Sequence, residues 1–473
     1  MGERIVHSRV TVPFSGPGAG TAPLSWGQKT ILQDMRNSDW TYNISGAHYL
    51  PEGLTVADVA ERLSRLMGKH SALRTRFGTD DEGNPCQVVH GSGEIDLEVM
   101  TVADHLDRTD AVDHGNRLWL KWMAAPLEEH TPWPLRMGVM QYRGEAVYLV
   151  LTLGHLVVDG VGGLLLMTDL DLGELVGRPV DPDAVRLADL ARREATPELR
   201  RVSDRAMRYW ETHLRSLPPL TFGGSGAPDY EAGRRCRNVR FQSRAAYLAV
   251  VEIARRTRTD TGRVLLAVIA TAIARTTGVN PLTLHVAAGN RYRPGLADVI
   301  GSVVQNAVLT LDLDGTVDDV LAQARQATTA ALMNSYYDPD QLAELAARLD
   351  AERGYPARIT CRINDRRFST RARADAVAEA ARPTEDEIRA STAETHLKWH
   401  KFVYRWTDQL FVNIEDHPDT VYLQVVSDTE VFPAEQVEAM LHLVEEVAIE
   451  AAFRPDVPAG ARPRPAATGT GPG

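Results

Sequence analysis

Ala146-Val147-Tyr148-Leu149-Val150-Leu151-Thr152-Leu153 is a nearly unbroken apolar run rich in β-branched residues and Leu. That is the pattern of a strand buried on both faces. Met137–Tyr142 precedes it as a second apolar run, and the polar Arg143-Gly144-Glu145 between them predicts a hairpin turn. After it, Leu164–Met167 reads as a helix packed on the sheet. Val56, Val59, Leu63, Leu66 and Met67 recur at helical spacing. So do Ala206, Tyr209, Trp210 and Leu214, and helices are also predicted over 245–257, 264–277, 317–333 and 434–452. Strands are predicted over 5–13, 86–89, 238–241, 282–288, 357–363, 410–414 and 421–427. Ser25 with Gln28 three residues on matches the reciprocal capping pattern of a helix start. Trp119–Leu135, with its aromatics and prolines, reads as an irregular entry to the strand at Met137.

The two halves mix strands and helices in a similar order, which predicts two related lobes. The boundaries expected are 1–180 for the first, 181–453 for the second, and a Pro/Ala/Gly/Thr-rich disordered tail or linker over 454–473. At 473 residues the chain is long enough for such a division. Its net charge of -11 argues against nucleic-acid binding. Cys86, Cys236 and Cys361 lie far apart, with neither metal-type spacing nor a disulfide framework, so a reducing cytoplasm is expected and no metal. The start, Met1-Gly2-Glu3-Arg4-Ile5, lacks an apolar signal core. No run approaches a membrane span, and no acylation site follows Gly2.

Chemistry is suggested where the buried strand gives way to a loop, at His155-Leu156-Val157-Val158-Asp159-Gly160. An imidazole titrates near neutrality and can take a proton from an attacking amine or hydroxyl. A carboxylate four residues on can turn inward and pair with a cation, pinning the loop. The adjacent Gly lets a ligand approach the backbone. Alone the pattern is short enough to arise by chance, and a single His at a strand end is more often a core residue than a catalyst.

Several stretches together resemble the condensation domains of nonribosomal peptide synthetases, within the chloramphenicol-acetyltransferase-like superfamily. Ser25-Trp26-Gly27-Gln28 is similar to that family's opening motif, and Lys69-His70-Ser71-Ala72-Leu73-Arg74-Thr75-Arg76-Phe77 to its second. The active-site motif His-His-x-x-x-Asp-Gly is matched from its second His by His155–Gly160. Ile300-Gly301-Ser302-Val303-Val304-Gln305-Asn306 resembles an Ile-Gly-x-Phe-Val-Asn stretch. The resemblance spans about residues 20–450. Gly154 departs from it at the first His, Lys69 stands for the usual Arg, and Gln305-Asn306 stands where Asn-Thr is common.

The resemblance implies an α/β (α+β) fold of two acetyltransferase-like lobes in a V-shaped pseudo-dimer with a tunnel between them. It implies a carrier-protein phosphopantetheine arm as acyl donor, with no permanently bound cofactor. His155 is then the general base, or acts by hydrogen bonding and electrostatics. Gly160 borders the oxyanion, and Asp159 pairs structurally with Arg74. Trp26, Gly154, Val161, Gln305, Asn306 and Asn364 are expected along the tunnel. The expected partners are an acyl or peptidyl carrier protein and a small or carrier-bound nucleophile, with the chain itself a monomer. A Met start and the absence of a following carrier or adenylation signature lead to the expectation of a free-standing enzyme, with a domain excised from a longer synthetase as the alternative. Its acidity requires a local basic face for carrier docking, for which Arg192–Arg201 and Arg362–Arg373 are candidates. The rivals are an acyl-CoA-dependent O-acyltransferase of the same superfamily and a degenerate domain that recruits a partner protein.

Overall fold

The structure, a computed structural model, describes residues 5–36, 38, 41–172, 181, 184–223, 234–367 and 382–460. The chain forms two compact units: one of Met1–Arg205, Ala288–Gln305 and Tyr336–Gln341, the other of Ala206–Ala287, Asn306–Ser335 and Leu342–Gly473.

The first unit is built on β1 (Ile5–Ser15), β2 (Gly20–Pro23), α1 (Trp26–Arg36), β3 (Asn43–Tyr49), α2 (Val56–Lys69), β4 (Thr75–Thr79), β5 (Pro85–Val89), β6 (Ser92–Val102), α3 (Arg108–Met123), β7 (Leu135–Tyr142), β8 (Glu145–Gly154), α4 (Gly160–Asp169) and α5 (Leu187–Glu194). A five-stranded sheet runs in the order β1-β6-β7-β8-β3, and β2-β5-β4 form a smaller one. β7 and β8 are antiparallel, joined by a tight turn in which Arg143 and Gly144 both have positive φ (50° and 85°). That turn matches the right-handed twist of the paired strands. Leu149, Leu151 and Leu153 of β8 pack with Leu63, Leu66 and Met67 of α2 and Leu165 and Leu166 of α4. Val147 and Tyr148 join a second cluster with Ala111 of α3. Apolar neighbours on both faces explain why β8 reads as continuous rather than alternating hydrophobicity.

Helix α6 (Pro197–Arg215) begins in the first unit and continues into the second. The second unit holds β9 (Arg234–Ser243), α7 (Arg244–Thr257), α8 (Thr261–Thr277), β10 (Leu282–Ala288), β11 (Gln305–Leu311), α9 (Val317–Met333), α10 (Pro339–Arg353), β12 (Cys361–Asp365), α11 (Glu385–Ala390), β13 (His396–Trp406), β14 (Leu410–Glu415), β15 (Val421–Asp428) and α12 (Ala434–Phe453), save that Ala288, Gln305 and Pro339–Gln341 at the ends of β10, β11 and α10 belong to the first. Its seven strands run β11-β10-β12-β14-β15-β9-β13, with β10-β12-β14 parallel. The buried residues of α7, α8 and α12 supply the helical side of its core.

Three sequence expectations are corrected. The boundary after residue 180 is too early and too simple: the first unit runs to Arg205 and takes back two segments from the second half. Trp119–Leu135 is not irregular throughout, because α3 extends to Met123 behind an Asp107 capping box. The proposed tail begins too early. Val457 and Ala459 are buried, and Pro458 bridges to Thr316, while 461–473 lie outside the described residues.

Candidate active site

β8 ends at Gly154, whose N–H donates to the Pro134 carbonyl (3.1 Å), and the next N–H, of His155, donates to the Tyr42 carbonyl (2.9 Å). The imidazole is half-buried, with the Tyr42 ring centroid 6.3 Å away. Its Nδ1 is buried and has no hydrogen-bond partner among the described residues. Desolvation holds its pKa below the ordinary histidine value, opposed by the backbone at His155 and Val158 and by the Asp159 and Asp34 carboxylates. The ring is therefore neutral at neutral pH, with a lone pair free to accept a proton.

The loop closes on α4. Asp159 is the N-cap, and its Oδ1 accepts from the Gly162 N–H (2.8 Å). The same carboxylate, in a residue 4% exposed, also accepts from Arg291 Nη2 at 2.5 Å and from the Val303 N–H at 3.2 Å. The Asp159 N–H donates to the Gly301 carbonyl. Arg291 in turn donates to the carbonyls of Ala297, Val299 and Gly301. Asp159 is thus a clamp, joining the start of α4 to the Ala288–Gln305 segment. The leading N–H groups of α4, at Gly160 and Val161, have no carbonyl within the helix to bond, which leaves them available to an oxyanion.

The expected pairing of Asp159 with Arg74 is wrong. Arg74 is fully buried, and its guanidinium is consumed by the carbonyls of Met67 (2.8 Å), Pro17 (2.7 Å) and His90. Arg291 was missed because it lies in the polar stretch between β10 and the Ile300 motif.

Gly154 ends β8 and Val161 lies in the first turn of α4, on either side of the His155 loop. Gly154 is not there for lack of room, since an added Cβ would meet only Leu127 and Pro134 at 3.7 Å. Gln305 is a core residue, whereas Trp26, though largely buried, also borders a cavity with Leu24, Ala191 and Glu194. Trp26 is 3% exposed against Tyr336, and Gln305 is 1% exposed with its Nε2 on the Tyr337 carbonyl. Asn306 (half-buried in β11) and Asn364 (bonded to Asn413 at 3.1 Å) belong to the second unit. Cys86, Cys236 and Cys361 are buried, and none of them forms a disulfide with another described residue. No cluster of metal-binding side chains occurs among the described residues, and none of the described helices is long and apolar enough to cross a membrane.

The model of the Condensation domain family matches residues 19–460. The chain belongs to the condensation domain family. Phosphinothricin tripeptide synthetase PhsC of Streptomyces viridochromogenes is 27% identical over 345 residues, 68% of this chain but 30% of that protein. The chain thus spans under a third of that synthetase. The condensation domain of chain release from the enacyloxin polyketide synthase superposes with a TM-score of 0.68 at 19% identity, covering 95% of this chain and 86% of that one. The X-domain solved in complex with OxyB from teicoplanin biosynthesis gives 0.64 at 17%, covering 94% and 96%. The fold is accordingly the acetyltransferase-like one. Condensation domains form amide or ester bonds, acting with carrier proteins whose phosphopantetheine arms hold the substrates.

Proposed function

We propose that this condensation domain transfers an acyl or aminoacyl group from a carrier-bound phosphopantetheine thioester to an amine or alcohol, as a step in specialised-metabolite biosynthesis. His155 takes or orients the nucleophile's proton. The observation that carries this reading is a neutral, half-buried imidazole on a loop locked by the Asp159–Arg291 clamp. The nucleophile's N or O attacks the thioester carbonyl carbon, and its proton passes toward His155. The C–S bond then breaks, and the departing thiolate takes up the proton. The N–H groups at the start of α4 would stabilise the oxyanion. Asp159 acts as a positioning residue. Burial raises the Cys361 thiol's pKa, which argues against it as a nucleophile.

The test is transfer from an acyl-pantetheine thioester, and in parallel from acyl-CoA, to a panel of amines and alcohols. His155→Ala should lower the rate by roughly 10²–10⁴-fold with folding intact. Equal rates in both proteins would refute the assignment. Gly154 in place of the motif's first His favours a second reading, a degenerate domain that recruits a partner protein; the X-domain of the same fold was solved in complex with OxyB. Binding of a partner enzyme without turnover of any thioester would select it.

A further inference from the structure

Helix α6 turns Ser203, Ala206, Trp210 and Leu214 into the protein and leaves a basic face outward. Arg201, Arg205 and Arg208 stand at i, i+4 and i+7, so they line one face over two turns. Arg200 flanks them, and Arg193 lies just ahead at the end of α5. All five are exposed. Among the described residues none of them has a side-chain hydrogen bond or an ion pair. The arginines on either side differ: Arg192 is held by Asp189 at 2.8 Å, and Arg215 by Glu211 and Glu352 at 2.6 and 2.9 Å. Lys29 is likewise neutralised by Asp338 and Asp340. Glu198 and Asp204 are exposed carboxylates on the same helix, and Asp189 on α5 and Asp340 and Glu344 on α10 are exposed as well, Asp189 and Asp340 being held by Arg192 and Lys29.

On a chain of net charge -11, a run of arginines that no described carboxylate neutralises is a local reversal of sign. Such a patch steers an oppositely charged partner into one orientation. Beside it Arg200 and Ser203 border a cavity of about 270 Å³, lined also by Leu24, Trp26, Ala191 and Glu194, where a partner's side chain can seat. We propose that this face of α6 is the docking surface for an acidic carrier protein. The proposal rests on the acyl-transfer reading and names where that reaction's macromolecular substrate is held.

The experiment compares wild type with the R201E/R205E/R208E variant. The probe is a fluorescein-labelled, phosphopantetheinylated peptidyl carrier protein of strongly negative net charge, with binding read by anisotropy at low and high salt. Turnover of a soluble acyl-pantetheine thioester is measured alongside. The expected result is binding by wild type that weakens with salt, and a loss of about tenfold or more in the variant with its salt dependence flattened. Turnover of the soluble thioester should be equal in both. Unchanged carrier affinity in the variant, or no binding by wild type at low salt, would overturn the proposal. If neither protein turns over the soluble thioester, the acyl-transfer reading fails, while the binding comparison still decides the surface.

Discussion

Asp159 satisfies a helix N-terminus, a guanidinium and a second segment's backbone at once, so the cost of breaking it is concentrated there. Arg291→Ala would leave a buried carboxylate without its cation, and a loss of about 3–5 kcal/mol is expected in denaturant unfolding. Catalysis should fall with it even though His155 is untouched. Glycines nearby split into two kinds. Gly154→Ala should cost under ~1 kcal/mol, because its Cβ meets only ordinary contacts. Gly27→Ala would put a Cβ 2.1 Å from the Ser302 carbonyl oxygen, and a loss of ~3 kcal/mol or more is expected. The pH dependence of His155 also has a fixed sign. Its folded pKa is depressed, so the unfolded chain takes up the proton first, and the residue's contribution to stability is lost as pH falls below about 6.5. The acid limb of the transfer rate should likewise lie below that value, and His155→Gln should remove it.

At the scale of elements, the start of α1 shows what local sequence can specify. The Ser25–Gln28 capping box is formed in both directions: the Ser25 N–H donates to Gln28 Oε1 (2.8 Å) and the Gln28 N–H to Ser25 Oγ (3.3 Å). The strand at 282–288 and the helix at 317–333 also stand where their patterns placed them. By contrast β3, half-buried up to an exposed Tyr49 and containing Asn43, Ser45 and Gly46, carries no clear alternation; its pairing with β8 decides it. The partners of buried charges were similarly illegible, since they depend on which distant segment arrives. Glu194 is such a case. Its carboxylate accepts from the Trp26 N–H (2.8 Å) and from the Tyr336 hydroxyl (2.5 Å), and burial pushes its pKa up to about 7. The folded state therefore holds a proton that the unfolded chain has released, and stability should decline as pH rises from about 4.5 to 7. Glu194→Gln should flatten that slope in melting curves recorded across the interval. An unchanged slope would place the titration elsewhere.

Over the whole molecule, composition and periodicity suggested two mixed α/β units, and the motif order carried the family. The boundary could not be read because the first unit is discontinuous: Ala288–Gln305 and Tyr336–Gln341 belong to it although they lie within the sequence of the second half. Periodicity describes neighbours along the chain and is blind to such returns. The clamp on Asp159 depends on one of them, because Arg291 is encoded more than a hundred residues after the loop it fixes. Inheritance of the active loop is therefore not modular at the level of halves. A chimera that exchanges everything downstream of residue 205 replaces the cation, the carbonyls and the backbone donor that give the His155 loop its shape. Recombination among relatives is then workable only where both crossover products keep Asp159 and the Ala288–Gln305 segment from one parent. A library of such chimeras should show function tracking that shared parentage more closely than overall sequence identity.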